Sequence, residues 1–230
     1  MDYKETIVSF CLWGKDAKYQ VGAIRNIEII QRAKPEWKIA FYIADDVNST
    51  VIGKIQDMAD YVQILPANDE SDWSTSFWRF RAVIEHPDSI VFIRDTDSRL
   101  TEREFTMMEE FIDSDKKFHI IRDHPNHYSK IMAGLWGTKG NFFDLNDKMM
   151  TFISHTATNQ FYSDQHFLNE LVYNEVKNEA IIHDEFRPDG NRTVPKRINW
   201  QYCGQPITAR DQIERPEDTE ILKKWYQTRK

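Results

Sequence analysis

The chain has 230 residues, of which 40% are hydrophobic and 13% aromatic, enough apolar material for one substantial core, and no Gly/Ser/Pro-rich or low-complexity tract marks a linker. Its formal net charge of -7 argues against broad nucleic-acid binding, which needs a basic face to displace counterions from phosphates. A small anionic ligand stays open, because it requires only a local cation or a metal.

The start, residues 1–6, is polar with both charge signs, and the apolar run 7–13 is short and interrupted, which predicts neither a secretion signal nor a membrane span. A cytoplasmic protein is expected. Cys11 and Cys203 lie among strand-forming neighbours and read as reduced core residues. Residues 6–13 predict a buried first strand that Gly14, Lys15 and Asp16 terminate. A helix follows over 19–33, with Val21, Ile24, Ile27 and Ile30 on its apolar side, and Pro35 closes it. Next come a strand with Ile39, Phe41 and Ile43, a helix over 49–59 and a strand over 62–65. This βαβαβ alternation predicts a mainly parallel sheet flanked by helices, an α/β fold in a single domain over 1–230.

An aromatic helix is expected over 73–85, then a strand over 89–94. A helix over 101–111 has Thr101 as its N-cap and Glu104 three places on, the pattern of a capping box. Beyond it the spacing predicts extended segments over 119–122 and 132–137 and helices over 146–155, 164–176 and 217–227, with the stretch from Ile181 to the last helix read as irregular.

The segment VFIRDTDSR carries the strongest chemical signal. Residues two apart on an extended chain face the same side, so Asp95 and Asp97 can address one cation while Thr96 turns away. Two hard carboxylates suit Mg2+ or Mn2+, whose remaining positions accept water and phosphate oxygens. In a parallel α/β sheet ligands gather beyond the carboxyl ends of strands, where this pair lies. The plainer reading is a solvated turn that starts the next helix.

Together with the blocks SFCLWG, FWRF, HIIRDHPNH, AGLWG and SDQHFLNE, which with RDTDSR span residues 9–170, the chain resembles the GT-A glycosyltransferases, in particular small members from bacteria and large algal viruses of the chlorovirus type. The resemblance implies a Rossmann-like fold with a nucleotide-sugar-binding half over about 1–100 and an acceptor-binding half over about 101–230. It implies a hexose transferred from a nucleotide-diphosphate sugar, with UDP the expected nucleotide, to a glycan or other hydroxyl acceptor, and fusion to or association with other glycan-synthesis domains.

Asp95 and Asp97 match the family's DxD, with Thr96 between them at the donor. Ser9, Leu12, Trp13 and Gly14 match the end of the first strand, where the nucleoside is held; a core role for Trp13 is the alternative. Arg79 matches a cation that faces the donor, with Arg81 and Arg94 as nearby alternatives. Asp123 follows a strand end where it would meet sugar hydroxyls, or else forms an ion pair with an arginine. Ala133, Gly134 and Gly137 allow close backbone approach to the sugar, or make an ordinary turn. Asp164 and Gln165 match an Asp-Gln pair near the reacting carbon, and Asp164 can also cap its helix. His183 is the candidate for a further metal ligand, with His119, His124 and His127 as competitors. If the reaction inverts the anomeric centre, Asp164 is the first choice of base and Asp123 the second; if it retains the centre, neither need act as base.

Two other classes compete. In a haloacid-dehalogenase-like phosphatase an Asp-x-Asp follows the first core strand, with a Thr or Val two places beyond the second Asp; here Arg99 fills that place. A non-catalytic saccharide-binding module would use the tryptophans and tyrosines without nucleotide or metal.

Overall fold

A computed structural model describes residues 3–68, 72–156 and 159–228. Seven strands, β1 (Thr6–Leu12), β2 (Lys38–Ala44), β3 (Tyr61–Leu65), β4 (Ile90–Arg94), β5 (Phe118–Arg122), β6 (Leu135–Lys139) and β7 (Ala180–Asp184), form one sheet in the order β3-β2-β1-β4-β6-β5-β7. Strands β1 to β4 are parallel, β6 runs antiparallel to both neighbours, and β5 and β7 pair in parallel. The expected α/β fold with a mixed, mainly parallel sheet flanked by helices is the fold observed.

Alternation along β1 assigns the two faces. Ile7 and Cys11 pack beneath the 3-10 helix Trp73–Phe80 and helices α3 (Arg81–Glu85), α5 (Leu145–His155) and α6 (Ser163–Phe167), in a core with Phe77, Phe80, Trp136 and Phe167. Val8, Phe10 and Leu12 face α1 (Ala17–Ala33), α2 (Ser49–Met58) and α4 (Glu102–Asp113), among Ile27, Ile30, Phe92 and Phe105. The chain leaves β1 toward β2 on one side, while β4 docks on the other side of β1. This reversal opens a crevice at the carboxyl ends of β1 and β4, the place where open α/β sheets bind ligands.

Local side-chain caps set the starts of three α-helices. Asp16 caps α1 by accepting the Lys18 amide at 2.8 Å, Asn48 caps α2 through the Thr50 amide at 2.9 Å, and Thr101 caps α4 through the Glu104 amide at 3.2 Å. The capping box over Thr101 and Glu104 is only half formed. The Glu104 carboxylate turns inward to pair with the buried Arg94 guanidinium, because a charge on β4 inside the core demands a partner.

Three segments depart from expectation. The aromatic helix over 73–85 divides into a 3-10 part and α3, with the 3-10 part held to β1 by side-chain bonds described below. The helix expected over 164–176 is α6, then a π-helical turn Leu168–Val172, then α7 (Tyr173–Val176). The stretch read as irregular contains β7 at its start; its side chains are buried on both faces, so it shows no alternation to read. The last helix, α8, spans Pro216–Gln227. Among the described residues no helix is long and apolar enough to cross a membrane.

Candidate functional site

The acidic turn follows directly on β4 and is held from beneath by α1. Gly22 lies so close to the Thr96 carbonyl that a Cβ there would overlap it. One helical turn on, the fully buried Asn26 donates to the Ser98 carbonyl at 2.8 Å and accepts the Leu100 amide at 3.2 Å. From the other side the Ile207 amide donates to the Asp97 carbonyl at 2.8 Å, and Arg99 reaches Asp211 at 3.1 Å. A helix with a bare Cα at position 22 and an amide at position 26 thus fixes where Asp95 and Asp97 stand.

Both carboxylates reach solvent, Asp95 with 41% of its side chain exposed and Asp97 with 23%. The Arg79 guanidinium bridges Asp95 and Asp164. Its position is set by β1: the Ser9 hydroxyl donates to the Arg79 carbonyl at 2.7 Å, and the Cys11 thiol lies 3.7 Å from the Ser76 carbonyl. Burial works against the Arg79 charge, but the two carboxylates more than offset it, so its pKa is raised. Burial pushes the Cys11 thiol up to about 12, which leaves it a core side chain and no nucleophile.

Asp97 pairs with Lys18 of α1 at 3.3 Å, and Lys18 also meets Glu214 at 3.1 Å. Burial and the neighbouring Asp95 charge together raise the Asp97 carboxyl, and Lys18 only partly compensates. Asp164, in the first turn of α6, is raised chiefly by burial, against the pull of Arg79. Gly134 presses its bare Cα against the Asp95 carboxylate, so that a Cβ at 134 would run into it. The small residue serves the first acidic side chain.

The crevice opens over Asp95, Thr96 and Asp97 and is walled by Arg79, Gly134 and Asp164. It continues into a recess at the end of β1, formed by Leu12, Trp13, Gly14, Tyr19 and Trp73. Trp13 stacks on Tyr19 with centroids 6.5 Å apart and meets Trp73 edge-on at 5.6 Å. Gly14, at φ +71°, turns the chain there and donates its amide to Asp46 at 3.1 Å. Ser9 lies one layer below and acts on the crevice through Arg79. Lys18, Tyr19, Trp73, His127 and Arg215 also line it. Sequence reasoning places none of these five at the site, apart from His127 as a competing ligand. The N-cap at Asp16 is a usable signal for Lys18 and Tyr19, since it puts them in the first turn of a helix that rises from the end of β1.

Two candidates stand elsewhere. Asp123 is fully buried and receives Arg103 at 2.7 Å, Arg197 at 2.8 Å and the Cys203 amide at 2.9 Å. Burial opposes its ionisation, and the Arg197 and Arg103 guanidinium groups overcome that and hold its carboxyl below the usual range. The arginine ion pair, the plainer of the two readings for Asp123, describes its surroundings. His183 is also fully buried, with Nδ1 2.9 Å from His119 Nε2 and Nε2 3.0 Å from Glu110, and it does not line the crevice with Asp95 and Asp97.

The donor chemistry of the turn fits a divalent cation in part. Asp95 and Asp97 are hard oxygen donors whose mutual repulsion a cation would relieve, and the open crevice leaves room for water and phosphate oxygens. Among the described residues no group of three or more His, Cys, Asp and Glu side chains converges as a metal cage. The pair follows the fourth strand in sequence, whereas the phosphatase arrangement wants it after the first.

No protein-family model matches the chain, and no curated protein matches it in sequence. Solved structures do. The glycosyltransferase GlyE of Streptococcus pneumoniae TIGR4 superposes with a TM-score of 0.51 at 14% identity over 80% of this chain and 46% of its own. The chain therefore spans less than half of that protein. A 4-diphosphocytidyl-2C-methyl-D-erythritol synthase from Anaerococcus prevotii reaches 0.49 at 9% identity over 97% and 96% of the two chains, and TarS from S. aureus 0.48 at 12% over 79% and 58%. At such identities the likeness establishes the fold, that of GT-A glycosyltransferases among others.

Proposed function

We propose that this protein is a glycosyltransferase that moves a hexose from a nucleotide-diphosphate sugar, UDP-linked in our reading, to a hydroxyl acceptor, with Mn2+ or Mg2+ at Asp95 and Asp97. One observation carries the proposal: a carboxylate pair at the end of β4 shares a crevice with an aromatic recess at the end of β1, across the reversal in strand order. In this reading the planar base enters the recess lined by Leu12, Trp13, Gly14, Tyr19 and Trp73, and the diphosphate would then reach toward Asp95 and Asp97. The two halves over about 1–100 and 101–230 would take the donor and the acceptor. The finer likeness to small bacterial and algal-virus enzymes belongs to this reading.

In such a transfer negative charge builds on the leaving diphosphate while the sugar gains oxocarbenium character. A bound divalent ion supplies electrostatic stabilisation of that leaving group. The chain's own residues do the rest. Lys18 and Arg215 add positive charge to the same crevice. Arg79 orients Asp95 and Asp164 by bridging them. Asp164, whose carboxyl burial has made more basic, is the acceptor for the attacking hydroxyl's proton if the reaction inverts.

The test is the unfolding midpoint with UDP, GDP, CDP or ADP, each with Mn2+ or with a chelator, followed by UDP release from a panel of UDP-sugars. Ligand at about a hundred times its dissociation constant stabilises by roughly 2.7 kcal/mol, a shift of several degrees for a chain of this size. A shift specific to UDP with Mn2+ supports the proposal. No shift with any nucleotide refutes it and leaves a saccharide-binding module.

A further inference from the structure

We infer that Phe161 and Tyr162 form a stacking platform for a pyranose ring of the acceptor, an assignment that rests on the transferase reading and names its acceptor class. Five aromatic side chains run along the crevice in contact. Tyr19 meets Trp13 at 6.5 Å, Trp13 meets Trp73 at 5.6 Å, Trp73 meets Phe161 at 4.5 Å, and Phe161 meets Tyr162 at 3.8 Å. The inner rings wall the recess proposed for the base. The outer two are 53% and 48% exposed, an outlay of apolar surface that a folded chain ordinarily covers.

The backbone supports a functional reason for that exposure. Tyr162 has φ +67° and ψ 12°, the left-handed region, which a bulky aromatic residue rarely adopts. Such backbone states persist where the surroundings hold them, and they concentrate at ligand sites. Here the residue immediately precedes α6, whose first turn carries Asp164, so the ring is set two residues from the proposed base. Gln165 and Arg215 line the same crevice. Apolar ring faces beside hydrogen-bonding groups suit a sugar, which has a C–H face and a rim of hydroxyls, better than an alkyl chain.

The experiment is saturation-transfer NMR on the full chain with methyl α- and β-glycosides of glucose, galactose and mannose, with glycerol as a ring-free control. Phe161→Ala and Tyr162→Gly are compared with wild type. Tyr162→Gly removes the ring at a position whose backbone glycine adopts freely, so it should melt no lower than wild type. The expected result is transfer to ring protons of at least one glycoside and none to glycerol, with affinity weakened about tenfold in each folded variant. No transfer from any glycoside, equal transfer to glycerol, or unchanged affinity in both variants overturns the platform. The nucleotide melting series separates the two ideas: a UDP shift without glycoside binding overturns the platform alone, and glycoside binding without any nucleotide shift overturns the donor reading alone.

Discussion

Replacing Gly22 by alanine pits helix propensity against tertiary fit. In an open helix the change stabilises by about 1 kcal/mol. At position 22 the new Cβ overlaps the Thr96 carbonyl, a backbone atom that cannot rotate away. Helix α1 or the acidic turn must therefore move, and overpacking of this kind costs about 1–3 kcal/mol. The same shift loosens the two Asn26 bonds to Ser98 and Leu100, at about 1 kcal/mol each. The net expectation is a loss of about 2–4 kcal/mol, or roughly 5–15 °C in the unfolding midpoint. Gly53→Ala in α2 is the matched control, since nothing lies within 4 Å of where its new methyl would stand, and it should stabilise by about 1 kcal/mol. The assay is calorimetry of both variants with and without UDP and Mn2+. A Gly22→Ala protein that melts at or above wild type would refute the packing argument. One that melts lower yet keeps the full ligand-induced shift would show that α1 does not position the acidic pair.

Gly134→Ala drives a methyl into the Asp95 carboxylate, and should cost about 1–3 kcal/mol in urea denaturation and weaken Mn2+ binding in a titration. Asp97→Asn removes a carboxylate whose ionised form burial and Asp95 disfavour, so its stabilising contribution is already lost once pH rises through its raised pKa. At pH 7 the ligand-free variant should therefore melt no lower than wild type, while the UDP and Mn2+ shift disappears. His127 is held by burial at about 3, and its Nδ1 accepts the Asp123 amide at 3.1 Å, so protonation breaks that bond. Its folded pKa is depressed, so its stabilisation is present above the unfolded value of about 6.5 and lost as pH falls toward 3. Between pH 7 and pH 5 the loss is about 2 kcal/mol, and His127→Asn should flatten the melting profile over that window by a similar amount.

Short-range chemistry determined a large part of this protein. The β1, α1, β2, α2, β3 succession, the cap at Thr101, and the position of Asp95 and Asp97 just past a buried strand all follow from periodicity and neighbours within a few residues. Partner choice did not follow. Asp123 reads from its neighbours as a sugar-facing carboxylate and second-choice base, with an arginine pair as the plainer alternative, and only folding brings Arg103 and Arg197 to it. His183 faces His119 because β7 pairs with β5. The same holds for the antiparallel β6 between β4 and β5 and for β7 itself, whose buried faces carry no alternation. Lys18 reaches Glu214 across 196 positions, and Gly22 is required only because the Thr96 carbonyl lies against it. Local hydrogen bonding and apolar spacing are properties of a segment and are written in it. Ion pairs and close backbone approaches belong to two distant segments at once: the packing of α1 against the end of β4 decided those of Gly22 and Lys18, and the pairing of β5 with β7 decided the contact of His183 with His119.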